Sequence, residues 1–233
     1  MKNLYLLINV ATIIVPLIAA YHPKIRFYKN HKEFFIALGL SGSFFILWDV
    51  WFATKEVWGF SDAYTIGFGL FGLPIEECLF FLCIPYASLF LHIHLHKFRW
   101  LEFMTIKSHV LTFLSSVLVV GVLIIGIWNY DKSYTFVNAL VFLIIYSIAY
   151  VKYKQQLTSF LSSFIIILVP FFVVNGLLTG TGISEEVVWY NNQENLGIRL
   201  GTIPVEDVFY AFSILMLPLL IYNQLKKSSI VKS

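Results

Sequence analysis

Five carboxylates stand where an apolar chain has least use for them. Asp49 follows Trp48 near the end of one apolar run, Glu76 and Glu77 follow Pro74, and Glu206 and Asp207 follow Pro204. Ionisable groups within or at the ends of membrane-length segments are costly and are functional candidates by default. Paired carboxyls suit proton transfer, one donating while another accepts. Burial disfavours the charged form of such a group and a close pair shares a proton, so an acid stays available near neutral pH. The bland alternative is a set of ordinary helix-start acids facing water. Proline is favoured in a first turn, and the helix dipole favours negative charge there. Repetition argues against that alternative, because Leu73-Pro74-Ile75-Glu76-Glu77-Cys78-Leu79-Phe80 matches Ile203-Pro204-Val205-Glu206-Asp207-Val208-Phe209-Tyr210 at an offset of 130 residues. Adjacent helical residues point about 100° apart, so one acid of each pair can face the interior while the other faces loops or a neighbour. Glu76 shares a face with Phe80, and Glu206 with Tyr210.

The elements that must position these acids are membrane helices. Of 233 residues, 59% are hydrophobic and only 12% charged, with a mean hydropathy of +0.80. A soluble domain carries about 25% charged residues, so lipid must be the solvent for much of this chain. Apolar runs at 4–20, 33–52, 73–95, 108–128, 134–151, 159–178 and 204–224 each approach the roughly 17–25 residues a span needs. No linker or low-complexity tract divides them. A signal peptide at the start is disfavoured, because the basic residues follow the first run and that run has a partner later in the chain. Cys78 and Cys83 sit in one apolar segment and read as small buried residues.

At the same offset the first span falls on the fifth, and the second, ending in Trp48-Asp49-Val50-Trp51, pairs with the sixth, ending in Asn175-Gly176-Leu177. The loops before the two motifs share Glu56-Val57-Trp58-Gly59-Phe60 and Glu186-Val187-Val188-Trp189-Tyr190 loosely. The expected fold is an all-α polytopic bundle of seven transmembrane helices forming one domain over 1–233. Repeat one covers about 1–96, a connecting helix about 108–128, and repeat two about 133–225. Both repeats begin on one side of the membrane, so they are parallel, related by an axis along its normal. On the side opposite the N-terminus fall Lys24, Arg26, Lys29, Lys32, Lys97, Arg99, Lys107, Lys152, Lys154, Lys226, Lys227 and Lys232, twelve of the sixteen basic residues. The positive-inside bias makes that side cytoplasmic, with the N-terminus outside and the C-terminus in the cytoplasm. The acids do the reverse, since only Glu33 and Glu102 belong to the cytoplasmic side.

The stretch from Trp48-Asp49-Val50-Trp51-Phe52 through Gly72-Leu73-Pro74-Ile75-Glu76-Glu77-Cys78-Leu79-Phe80-Phe81 to Pro85-Tyr86 resembles the first half of the small integral-membrane type of lycopene cyclase. The stretch from Asn195-Leu196-Gly197-Ile198-Arg199 to Thr202-Ile203-Pro204-Val205-Glu206-Asp207-Val208-Phe209-Tyr210 resembles its second half. That family occurs as two short subunits in some bacteria and as one fused chain in others, and this chain is similar to the fused form over essentially its whole length. Asn175 stands where the repeat suggests an analogue of Asp49, so the two halves differ in their acids. The resemblance implies a lycopene beta-cyclase, an isomerase of the intramolecular lyase class in carotenoid biosynthesis, needing no cofactor and no metal. A linear end group is protonated at its terminal double bond, a second double bond attacks the tertiary cation, and a proton leaves to give a β-ionone ring. It implies Glu76 and Glu206 as the principal acid and base, with Glu77, Asp207 and Asp49 in support. Aromatic faces can stabilise the cation, which singles out Trp48, Trp51, Phe80, Phe81, Tyr86 and Tyr210 for substrate binding. The expected partners are lycopene or a related linear carotenoid, membrane lipid and other carotenoid-pathway enzymes, with no nucleic acid, at the cell membrane as a multi-pass protein.

Other signals carry less. Gly67-Phe68-Gly69-Leu70-Phe71-Gly72 fits G-x-G-x-x-G literally but lacks the preceding strand and downstream acid of a dinucleotide site; glycines shaping the preceding loop are the expectation. His92, His94 and His96 could bind metal but read as an interfacial helix end. A retinal protein needs a lysine inside its last span, and 200–224 contains none. The rivals that remain are an intramembrane prenyltransferase holding Mg²⁺ and diphosphate on the acids, and a proton-coupled transporter or carotenoid-binding protein using them as relays.

Overall fold

A computed structural model describes residues 2–95 and 108–231. His96, Lys97, Arg99, Glu102, Lys107 and Lys232 lie outside the described residues, and with them part of the charge asymmetry drawn from sequence. Seven α-helices occur among the described residues: α1 Leu4–Ala19, α2 His31–Thr54, α3 Ile75–Leu95, α4 Ser108–Trp128, α5 Ser133–Lys152, α6 Lys154–Leu178 and α7 Asp207–Val231. Six are long and apolar enough to cross a membrane; α1, with 16 residues, is shorter. Their outward faces carry large apolar side chains such as Leu47, Phe113, Ile127 and Val169, a surface that lipid rather than water would cover.

Helix packing follows the internal repeat. In each half the first helix lies along the third, α1 on α3 and α5 on α7. Between halves the second helix crosses over, α2 packing on α7 and α6 on α3. The core therefore sits at the joint of the halves, where each half's second helix lies against the other half's third. The connecting helix α4 packs on α5 at the periphery.

Short strands, absent from the helical expectation, seal one end of the bundle. Strands β1 Trp58–Phe60 and β4 Val188–Tyr190 pair antiparallel across the two halves, Trp58 opposite Tyr190 and Phe60 opposite Val188. Gly59 lies opposite Trp189, and a Cβ at Gly59 would come within 2.4 Å of that indole ring, so glycine lets the Trp189 ring lie across the ribbon. Two tight hairpins precede the acid-bearing helices: β2 Gly69–Leu70 with β3 Leu73–Pro74, and β5 Arg199–Leu200 with β6 Ile203–Pro204. Phe71 and Gly72 both take positive φ (55° and 85°), the requirement of a type I′ turn. The glycines of the G-x-G-x-x-G match thus shape this hairpin. Pro74 and Pro204 belong to strands rather than to a first helical turn. Proline pushes the residue before it into extended conformation, so each hairpin closes first and the helix begins just beyond.

Candidate active site

The loops leading into the hairpins hold one acid of each pair and leave the other to turn elsewhere. Glu76 Oε1 accepts the backbone N–H of Ile66 at 2.7 Å, and Glu206 Oε1 accepts that of Leu196 at 2.7 Å. Glu206 Oε1 also accepts from the Thr135 hydroxyl at 2.7 Å. Both carboxyls are buried, and both fasten the loop ahead of their helix. The backbone carbonyls of the same two residues accept amide donors from the first helix of each half, Asn9 at 2.8 Å and Asn138 at 2.7 Å.

Glu77 and Asp207, one residue on, turn the other way. The Tyr5 hydroxyl donates to Glu77 Oε2 at 2.5 Å, and the Tyr134 hydroxyl donates to Asp207 Oδ1. Tyr5 and Tyr134 occupy matching places at the starts of α1 and α5. Asp207 Oδ2 accepts two further donors, Asn175 Nδ2 at 2.6 Å and the Tyr190 hydroxyl at 3.1 Å. Asp49 Oδ1 accepts from the Trp58 indole N–H, while its Oδ2 is buried without a protein partner. Tyr190 sits on the strand ribbon, beneath the Arg199 guanidinium 5.4 Å from its ring centre. Burial, and next the charge of Asp207, push the Tyr190 phenol well above its ordinary value, so it stays a proton-bearing donor to Asp207.

Asp49, Glu77 and Asp207 line a single cavity of about 30 Å³ between the halves, room for little more than a water. Tyr5, Trp58, Phe60, Phe80, Tyr134, Phe171, Asn175, Leu178, Val188, Tyr190 and Tyr210 complete its wall. The aromatics pack mostly edge to face, with Tyr134 stacked on Tyr190. Trp58 meets Tyr134 at 5.2 Å and Tyr190 at 5.9 Å between ring centres, and Trp48 backs Tyr210 at 5.3 Å.

Of the residues singled out from sequence, Asp49, Glu77, Asp207, Phe80 and Tyr210 line this cavity, and Trp48 stands one ring behind it. Glu76 and Glu206 are not on its wall. Phe81 stacks on Phe45 at 6.2 Å. Trp51 is 49% exposed on the outward face of α2, one turn from the inward Trp48 stripe. Tyr86 lies nine residues along α3 from Glu77, hydrogen-bonded to His31 at 2.9 Å near the other end of the bundle, too far to reach the acids. Sequence reasoning missed Tyr5, Tyr134 and Tyr190. The repeat offset that matched the acids also pairs the helices carrying Tyr5 and Tyr134, and was the signal available. His92 Nδ1 is hydrogen-bonded to Ser163 at 2.5 Å across α3 and α6, and no cluster of three or more His, Cys, Asp or Glu able to hold a metal occurs among the described residues.

Fold and site together define a multi-pass membrane protein whose two related halves close on one shared group of carboxyls. Comparison with known families places it further: a profile described as lycopene cyclase matches residues 2–95 and 131–225. The chain belongs to the lycopene cyclase family, and its role is that of a carotenoid cyclase. No curated protein and no solved structure matches it.

Proposed function

We propose that the chain is a lycopene beta-cyclase that closes linear ψ-end groups to β-ionone rings by proton transfer among Asp49, Glu77 and Asp207. The observation that carries this reading is the convergence of these three carboxyls, from both halves, on one aromatic-walled cavity. Asp49, with Oδ2 free of protein partners and Glu77 beside it on the same wall, donates a proton to the terminal double bond. The second double bond attacks the tertiary cation, and the faces of Trp58, Tyr134 and Tyr210 stabilise the spreading charge. Asp207 takes the leaving proton; its three donors suit an acceptor-only carboxylate. One proton enters and one leaves, so the product is an isomer of the substrate, and the reaction is that of an intramolecular lyase.

In this reading Glu76 and Glu206 act as loop fasteners and not as the acid and base. The bundle crosses the membrane seven times, with α1 spanning beside α3 and the repeats at about 1–96 and 133–225. The N-terminus is outside, and the acid site lies near the non-cytoplasmic face of the cell membrane. Lys24, Arg26, Lys29, Lys32, Lys152 and Lys154 at the opposite end support that orientation.

The test is cyclisation of lycopene by purified protein in lipid, with no other protein present. Asp49→Asn, Glu77→Gln and Asp207→Asn should each lower turnover by about 10²–10⁴-fold, whereas Glu76→Gln and Glu206→Gln should stay within about tenfold of the parent. Loss confined to the second pair, with the first three variants fully active, would sink the assignment.

A further inference from the structure

The acid cavity is too small for the end group it would process, and the wall it shares with a neighbouring space shows where the rest of the substrate lies. A groove of about 640 Å³ runs between α1, α3 and α6. Phe171 belongs to both linings, so its ring forms part of the wall between the groove and the acid cavity. The groove extends along α1 from Ile8 to Ala19, about 16 Å at the helical rise. Its wall is apolar apart from Thr12 and Ser88, and the Thr12 hydroxyl is turned back onto the Ile8 carbonyl at 2.8 Å. Ala11, Ala19 and Ala87 present only methyl groups to the groove, which leaves width for a flat, methyl-bearing chain. Val15 and Val173 on its rim are more than 60% exposed, so it is open along its side to the apolar surroundings.

We propose that this groove binds the conjugated polyene of a linear carotenoid, entering sideways from the bilayer, and that Phe171 swings aside to let the terminal end group reach Asp49, Glu77 and Asp207. The inference rests on the cyclase reading for the identity of the end group's destination, but the groove's occupancy is measured separately. A rigid polyene cannot coil into a compact pocket, so an extended slot ending at an acid site is the form its recognition requires. A lipid acyl chain would fit the same slot in part, but it has no end group to present to the carboxyls.

Binding is read in lipid nanodiscs by quenching of the protein's tryptophan fluorescence with lycopene, in the Asp207→Asn background so that turnover is slow on the timescale of the titration. The expected result is saturable quenching that Ala87→Phe weakens about tenfold or more, the effect of overfilling a packed slot. Ala11→Phe, on an exposed position of α1, should do the same without burdening the core. Ile165→Phe, on the outward face of α6 and outside the groove, should leave binding unchanged. Equal lycopene affinity in the Ala87→Phe and Ala11→Phe variants, or competition by saturated phospholipid as effective as by carotenoid, overturns the groove. Unaltered binding site but no cyclised product from the parent protein would instead count against the cyclase reading alone.

Discussion

Tyr5 and Tyr134 hold equivalent places in the two halves, yet the acids they serve are not equally supplied. Glu77 has Tyr5 as its one described donor, whereas Asp207 keeps Asn175 and Tyr190 when Tyr134 is removed. A hydrogen bond to a charged group is worth about 1.5–3 kcal/mol, and one of three is more easily spared than one of one. Tyr5→Phe is therefore expected to lower turnover about tenfold or more, and Tyr134→Phe clearly less, in side-by-side rates with purified protein. The reverse order would mean that Asp207, not Glu77, is the carboxyl whose orientation limits the chemistry. The difference between the halves was visible in sequence as Asn175 in the place of an acid. Its consequence was not, because only the fold brings Asn175 of α6 to Asp207 of α7 rather than leaving it a stand-in for Asp49.

At the scale of elements, the helices were legible and the hairpins were not. Runs of apolar residues at 73–95, 108–128 and 134–151 translate almost directly into α3, α4 and α5, because each backbone inside a membrane must satisfy its own hydrogen bonds. Strands of two or three residues leave no period to read, and Pro74 and Pro204 carry the same sequence signature in a hairpin end as in a first helical turn. The same ambiguity attends the choice within each acid pair. Helical geometry separates neighbours by about 100° but does not say which one faces inward; in the proposed reading the loop ahead of each hairpin decides, by offering Ile66 and Leu196 N–H groups to Glu76 and Glu206. If those carboxyls serve the loops, Glu206→Gln should preserve the thermal transition, since an amide oxygen still accepts both donors. Glu206→Ala strands the part-buried Leu196 N–H and the buried Thr135 hydroxyl at a cost of about 1–3 kcal/mol and should lower the midpoint by several degrees, measured on detergent-solubilised protein. Equal midpoints for the two variants would show that Glu206 does not hold the loop.

For the whole molecule, the decisive relation is that neither half contains a finished site. Asp49 and Glu77 come from the first half and Asp207 from the second, the ribbon pairs Trp58 with Tyr190 across the joint, and α2 and α6 each pack on the other half's third helix. The connecting helix α4 contributes no residue to the cavity and packs on α5 at the edge. In the proposed seven-span topology its work is to bring both acid-bearing ends to one face and to keep the halves together at high effective concentration. A chain cut between residues 107 and 108 should therefore reassemble. The pieces 1–107 and 108–233, produced together in lycopene-accumulating cells, are expected to yield cyclised carotenoid within about tenfold of the intact chain, the loss reflecting the missing tether. Either piece alone should yield none, since each lacks a carboxyl of the shared site. Cyclised product from one piece alone would mean that a single half carries a complete acid and base, and the joint of the halves would then be a dimer interface with no chemistry of its own.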